Sequence, residues 1–434
     1  MGTVECSAAM RLNVNNEIGR LKSVLVHLPG REIDVMVPSM MEQLLFDDIL
    51  FGQLAREEHR RFQQIIWFVA DEVLDLQDLL EEVFEDSELK AELVRDFAKR
   101  SRLPRSFAEF LTAKDPAQLA EVLVAGIVGE EGNRKGPLFD LAPVPNLFFA
   151  RDPQVVIGNG VAVCSMATRA RQRESLLSRY VFRFHKAFRG QDLFWLDPLQ
   201  DPRSPASTAR AKRKPATLEG GDVLVARRDV LLVGLTERTN RAGIEQLAQA
   251  LKDSDSPIKT ILVVEVPKRR SFMHLDTVFT LTNRNECLVY PPVILERGND
   301  EAKVYQMDLT KRTLTYSSQK SLLSSLKKKG MDLEPISCGG QKFIEQQREQ
   351  WTDGANAFVL APGVILLYER NVGTAAELAQ HGYHIVYEDD LLLGRTELET
   401  WTDKKYAIQI QGHELSRARG GPRCMTMPLA REEV

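Results

Sequence analysis

Apolar and polar positions alternate along this chain in three successive textures, and each predicts a different kind of element. Ile18 to Val26 reads as a strand, and Met41 to Phe68 as a helix with Leu44, Leu45, Ile49 and Leu50 at helical spacing. Residues 77 to 130 then form a dense helical stretch in which no strand pattern intrudes. Within it Ser106 and Glu109 have the spacing of a capping box, while Asp115, Pro116 and Gln118 supply a cap, a first-turn proline and a box partner. The reading is a mixed α/β domain over 1–76 and 131–434, interrupted by an inserted helical bundle over 77–130.

After residue 140 short strand pairs recur. Val155 to Ile157 and Val161 to Val163 flank Gly-Asn-Gly, and Val223 to Val225 and Val230 to Leu232 flank Ala-Arg-Arg-Asp. Val278-Phe279 and Cys287 to Val289 flank Thr-Asn-Arg-Asn, and Phe358 to Leu360 and Val364 to Leu366 flank Ala-Pro-Gly. Each is a hairpin signal. Helices follow some of them. Ile244, Leu247, Ala248 and Leu251 sit at i, i+3, i+4 and i+7, and Thr374 with Glu377 boxes the start of another helix that Gly382 can end. These are repeated ββα-like modules, and polar residues stand before every hairpin: NLFFARD, TLEGGD, MHLD and DGAN. If the modules surround an axis, as propeller repeats do, those polar ends converge on one place, and the segment RGGPRCMTMPL brings Cys424 there as well.

Composition narrows the class. The 434 residues are 43% apolar and 27% charged, long enough to bury a core without disulfide or metal staples. With 57 Lys+Arg against 61 Asp+Glu, the net charge of −4 argues against a protein built to grip nucleic acid. The longest apolar run, Phe358 to Tyr368, is broken by Pro362 and Gly363, so no membrane span is expected. The amino terminus lacks a signal-peptide core, and Cys6 stands where a myristoylation site needs Ser or Thr. The expectation is a cytoplasmic protein whose five scattered cysteines are reduced thiols, one of them a candidate nucleophile. Residues 201–216, rich in Pro, Ser, Ala and basic residues, read as a solvated loop.

Candidate chemistry sits in the polar segments. His274 and Asp276 lie two apart in a predicted strand, hence on one face, and make a general acid/base pair; the alternative is a buried histidine with one hydrogen bond. Zinc would need three or four ligands, and no second histidine cluster lies near. Glu219 and Asp222 bracket two glycines that permit close backbone approach. Neither a G-x-G-x-x-G nor a P-loop is present, so nucleotide cofactors have no support. Arg151-Asp152, Arg171, Arg173 and Arg238 offer cations beside acids. Cys424, flanked by Gly420, Gly421 and Arg423, has surroundings that favour a lowered thiol pKa, although an unpaired cysteine is more often an inert small hydrophobe.

Taken in order, NLFFARDP (146–153), MATRARQRE (166–174), LEGGD (218–222), GLTERT (234–239), MHLDTVFT (273–280) and ELSRARGGPRCMTMPL (414–429) resemble the signature segments of the bacterial arginine deiminase family, as do NEIGRLKSVLVHLPG and LLFDDI near the amino terminus. The resemblance implies the guanidino-group-modifying fold, a five-fold pseudosymmetric α/β propeller of ββαβ-type modules with the amino-terminal strand segment supplying the fifth. It also implies hydrolysis of L-arginine to L-citrulline and ammonia through an amidino-cysteine intermediate, no metal or organic cofactor, and a homo-oligomer. Carried over by position, Cys424 is the nucleophile and His274 the acid/base. Asp152 and Asp276 hold the guanidinium, and Glu219 lies near the histidine and substrate. Asn146, Arg171, Arg238 and Arg419 bind the α-carboxylate and neighbouring parts of the substrate, and Phe149 is an apolar wall.

Three departures from the family pattern bear on substrate affinity and loop dynamics. Ala418 precedes Arg419 where the family usually has Gly, a change that matters if the position needs positive φ or close backbone approach; residues 167–169 are less aromatic; and the basic loop at 201–216 is extra length. The rival readings are an amidinotransferase or a hydrolase of another guanidino compound, and a non-catalytic binding protein of the same fold. The last predicts a lost nucleophile or acid.

Overall fold

A computed structural model describes residues 11–129, 138–195 and 215–434. Cys6 and residues 201–214 of the basic loop lie outside the described residues.

Among the described residues there are sheets of three, five, three, four and three strands, together with one two-stranded ribbon. The four expected hairpins all form, and each gains a third strand. Gln154–Ile157 and Gly160–Val163 pair antiparallel, and Asp192–Trp195 joins the second strand in parallel. Val223–Arg227 and Val230–Leu235 are extended by Thr260–Glu265, Phe279–Asn283 and Glu286–Val289 by Glu334–Ser337, and Phe358–Ala361 and Val364–Tyr368 by Lys405–Ile410, always in parallel. A parallel neighbour requires a crossover, and in all four of these units a helix lies along it: Gln172–Phe184, Arg241–Asp253, Leu322–Lys328 and Val372–Gln380. The remaining sheet has the same order. Leu21–Val26 is its centre, Glu72–Asp75 lies parallel after the helix Gly52–Trp67, and the antiparallel partner, Met427–Arg431, comes from the far end of the chain.

Local chemistry explains most of these elements. Gly158 (φ +62°) and Gly363 (φ +75°) turn two of the hairpins in the left-handed region. The Asn240 side chain accepts from Gly243 N at 3.0 Å to start its helix, whose Ile244, Leu247, Ala248 and Leu251 are all buried as the spacing predicts. Asp115 likewise caps its helix by accepting from Gln118 N at 2.8 Å.

Other expectations need correction. The predicted 41–68 helix is two pieces, Met41–Leu44 and Gly52–Trp67, because Leu45 turns left-handed at φ +56°. The helical stretch comprises Leu76–Phe84, Ser87–Ser101, Arg105–Thr112 and Pro116–Ala125, and a two-residue strand, Ile127–Val128, does intrude by pairing with Phe139–Leu141. Ser106 and Glu109 make no capping box: the helix begins after Pro104, and Glu109 instead accepts from Arg105 Nε at 3.0 Å. Thr374 and Glu377 make none either. A distant carboxylate, Glu349, takes the Gly373 and Thr374 backbone N–H groups at 2.6 and 2.7 Å and so does the capping from outside the helix. Gly382 follows that helix at φ +83°, as expected.

The helices over 76–125 bury Leu79, Leu80, Val83, Phe84, Leu93, Phe97, Leu119 and Leu123 in one cluster with Val155, Val161 and Leu177 of the adjoining sheet and its helix. The Tyr180 hydroxyl donates to Asp96 Oδ2 at 2.9 Å across this junction.

Candidate active site

The catalytic candidates occupy equivalent places, the polar entry to the first strand of a unit, while Arg171 and Arg238 follow the second strand of theirs. Asp152 stands just before Gln154–Ile157. Glu219 precedes a 3-10 turn, Gly220–Asp222, that leads into Val223–Arg227. His274 precedes the 3-10 turn Leu275–Thr277 before Phe279–Asn283, so His274 and Asp276 lie in a turn, not on the predicted strand, and period-two reasoning does not apply to them. Cys424 stands before Met427–Arg431. A Cβ at Gly221 would lie 2.7 Å from His274 Nδ1 and 2.9 Å from Asp152 Oδ1, which explains why the paired glycines are needed.

These side chains form one buried charge system. His274 Nε2 lies 2.8 Å from Glu219 Oε2, and its Nδ1 lies 3.6 Å from Asp152 Oδ1. Arg171 donates from Nη1 to Asp152 Oδ2 at 2.7 Å and is otherwise paired with Glu174 at 2.8 Å. Arg423 donates from Nη1 to Asp276 Oδ2 at 2.7 Å and from Nη2 to Glu17 Oε2 at 3.1 Å. The Cys424 sulfur is 4.0 Å from Asp276 Oδ2. Asp152 Oδ1 and Asp276 Oδ1 are buried carboxylate oxygens without a hydrogen-bond partner among the described residues.

The electrostatics follow from burial and neighbours. Burial opposes the His274 cation, but Asp152, the hydrogen bond to Glu219 and the Asp222 charge outweigh it and push the imidazole up to about 10. Burial also opposes the Glu219 carboxylate, yet His274, Arg238 and Arg171 hold it below the usual carboxylate range. The Cys424 thiol is pushed well up by burial and by the Asp276, Asp152 and Asp353 charges. The expected lowering is therefore overturned. Arg423 turns toward Asp276 and Glu17, and the carboxylates dominate around the sulfur.

Eight of the ten candidates, Asn146, Phe149, Asp152, Arg171, Arg238, His274, Arg419 and Cys424, line one cavity of about 30 Å³, and Glu219 and Asp276 are buried beside it. Asn146 donates to Leu44 O at 2.8 Å, and Phe149 packs on Phe148 with ring centroids 4.1 Å apart. Arg238 Nε and Nη1 are buried without partners among the described residues. The Arg419 guanidinium lies 3.3 Å from the Trp351 ring centroid. Positive φ falls on Arg419 itself (φ +64°), while Ala418 ends a 3-10 turn, so the substitution of Ala at 418 meets no left-handed backbone. Outside the cavity, a cleft of about 730 Å³ shares Leu45, Asp47, Arg238 and Arg270 with it, and Arg270 pairs with Asp47 at 2.6 Å on that shared wall.

Sequence reasoning missed Asn356. Its Oδ1 accepts from Cys424 N at 3.1 Å and its Nδ2 donates to Asp276 O at 3.1 Å, so one amide ties the backbone of the nucleophile to that of the carboxylate beside it. The signal was present, since Asn356 ends the DGAN segment that stands where Asp152, Glu219 and His274 stand in their own units. Asp353 of the same segment, pushed up to about 7 by burial against the pull of Arg419, is another buried acid near the sulfur.

Asp152, Glu219 and His274 offer ligand atoms within 4.8 Å of one another, close enough for a metal ion. Arg171 already stands 2.7 Å from Asp152 and 3.9 Å from Glu219, and a histidine held as imidazolium has no lone pair to give, so the set fits a cationic organic group better than a metal.

The family profile described as arginine deiminase matches residues 42–431 of this chain. An arginine deiminase of Bacillus cytotoxicus is 33% identical over 442 residues, covering 98% of this chain and 99% of that protein. One from Clostridium perfringens is 35% identical over 446 residues, covering 98% of each. Among solved structures, an amidinotransferase of Microseira wollei from the saxitoxin biosynthetic pathway superposes with a TM-score of 0.52 at 14% identity, covering 98% of both chains, a likeness of the mixed α/β fold.

Proposed function

The chain belongs to the arginine deiminase family, and from that premise we propose how its own residues hydrolyse L-arginine to L-citrulline and ammonia. The observation that carries the reading is the Cys424 sulfur 4.0 Å from Asp276, in a cavity that also holds His274 and the unpartnered oxygen of Asp152.

A guanidinium carbon is a poor electrophile because its charge is delocalised, so it must be fixed and met by a strong nucleophile. Asp152 Oδ1 and Asp276 Oδ1 supply the fixing acceptors. Burial and the same carboxylates keep the thiol protonated before substrate binds; a bound guanidinium offsets the carboxylates, so the thiol proton passes to solvent as the substrate arrives, leaving the thiolate. Attack by the Cys424 thiolate gives a tetrahedral adduct. His274, held as imidazolium, donates its proton to the departing amine, and ammonia leaves an amidino group on the sulfur. The neutral imidazole then takes a proton from water, whose attack on the amidino carbon returns the thiolate and releases the ureido product. At the other end of the substrate, Arg238 and Arg419 are the cations best placed for the α-carboxylate, since Arg171 is paired with two acids.

We read the five sheets as blades of one propeller about the site. Support comes from their common order of antiparallel, central and parallel strands, and from the catalytic candidates standing at equivalent blade entries. On this reading 77–130 is the helical insertion and 1–76 with 131–434 the catalytic domain. The enzyme is proposed to be cytoplasmic, which the four free buried cysteines Cys164, Cys287, Cys338 and Cys424 support. It is also proposed to be a homo-oligomer, for which the exposed Trp67, Phe68, Leu393 and Trp401 offer apolar surface.

Supplying glycine or ornithine with arginine separates hydrolysis from amidino transfer. The deiminase releases ammonia and citrulline in equal amounts whatever acceptor is present; formation of an amidinated acceptor without ammonia would sink the reading.

A further inference from the structure

The mechanism leaves unused a buried carboxylate that reaches the substrate loop from outside. Glu58, on the helix Gly52–Trp67, accepts three consecutive backbone N–H groups: His413 at 2.8 Å, Glu414 at 3.1 Å and Leu415 at 3.1 Å. The chain then makes the 3-10 turn Leu415–Ala418 and presents Arg419 in the left-handed region. Two more contacts bind the same strips of chain together: Phe51 N donates to Glu414 Oε2 at 2.7 Å, and Arg417 Nε donates to Asp48 Oδ2 at 2.9 Å. A carboxylate suits this place because successive N–H groups need two acceptor oxygens and charge-assisted bonds are the stronger kind, and removing it strands buried donors.

We propose that Glu58 is a positioning residue for substrate binding: by gripping the backbone of 413–415 it sets the place of Arg419, and so the affinity for the end of the substrate that bears the α-carboxylate, without acting on Cys424. The proposal rests on Arg419 as a ligand of that carboxylate.

The test compares KM and kcat for L-arginine in the wild type, Glu58→Gln, Arg419→Ala and the double variant. Inactivation by 2-chloroacetamidine, an amidinium that reaches the thiol but carries no carboxylate, is measured alongside. Glu58→Gln should raise KM about tenfold, the size expected for one weakened charge-assisted contact, and leave chloroacetamidine inactivation within about twofold of the wild type. The double variant should have a KM no higher than Arg419→Ala alone, because both changes remove one interaction. Glu58→Asp, which keeps the charge with a shorter reach, should fall between the wild type and Glu58→Gln.

Additive KM effects, or a wild-type KM in Glu58→Gln while Arg419→Ala is impaired, would overturn the role of Glu58 and leave that of Arg419 standing. A wild-type KM in Arg419→Ala would instead remove the premise, and the proposal with it. Equal loss of chloroacetamidine reactivity in Glu58→Gln and Glu58→Asp would place Glu58 with the general scaffold and also overturn the proposal.

Discussion

Two carboxylates set the protonation chemistry of this site against burial, Asp152 first and then Glu219, which does not line the cavity. The hydrogen bond of Glu219 to His274 Nε2, with Asp152 on the opposite nitrogen, raises the imidazole to about 10, so the acid form that expels ammonia persists well above neutrality. Removing the Glu219 charge removes part of what raises that pKa. The alkaline limb of kcat/KM in Glu219→Gln should therefore move to lower pH than in the wild type, read from a pH profile of citrulline release. An unmoved limb would detach Glu219 from the acid. At this scale Asp152, Arg171, Glu219, Arg238, His274, Asp276 and Cys424 stand out by residue type in short polar segments, whereas Asn146, Phe149 and Arg419 come only from the family resemblance. The pKa directions were not legible, because these depend on which carboxylate each cation faces. Arg423 beside Cys424 in sequence promised a lowered thiol pKa, yet its guanidinium turns to Asp276 and Glu17.

Among the elements, the hairpins were legible and their parallel third strands were not. A hairpin is local, with a turn such as Gly158 or Gly363 marking it. A parallel neighbour arrives after a crossover, and nothing local announces it; Glu334–Ser337 and Lys405–Ile410 carry no turn signal tying them to their partners. Caps failed where tertiary contacts replaced local ones, as Glu349 does for Thr374 and its neighbour. The helices over 76–125, read from sequence as an inserted bundle, share one core with the sheet of Val155 and Val161. Phe97→Ala, at a fully buried position in that core, should cost about 3–5 kcal/mol in denaturant unfolding while leaving kcat of the folded protein unchanged. A cost below about 1 kcal/mol would mean that the helical segment packs loosely on the rest.

Across the whole molecule, the sheet built from both chain ends is the feature that sequence could not supply, since Met427–Arg431 reaches Leu21–Val26 across nearly the full length. That sheet carries a second buried imidazole. His27, directly after Leu21–Val26, lies 3.2 Å from Asp75 and 3.4 Å from Glu32, and these acids outweigh burial to push it up to about 10. Because the folded pKa is raised, the stabilisation is fully present below the unfolded value of about 6.5 and is lost as pH rises through about 10. The melting temperature lost in His27→Gln should accordingly be largest near pH 6 and smallest near pH 10, and a constant difference would refute the linkage.

The whole chain is proposed to converge on one thiol, so the most direct measurement is citrulline and ammonia release from L-arginine by the wild type and by Cys424→Ala with an unchanged melting profile. The expected result is equal release of both products by the wild type and none above background by the variant. Turnover by Cys424→Ala at a rate comparable to the wild type would contradict covalent catalysis at this cysteine.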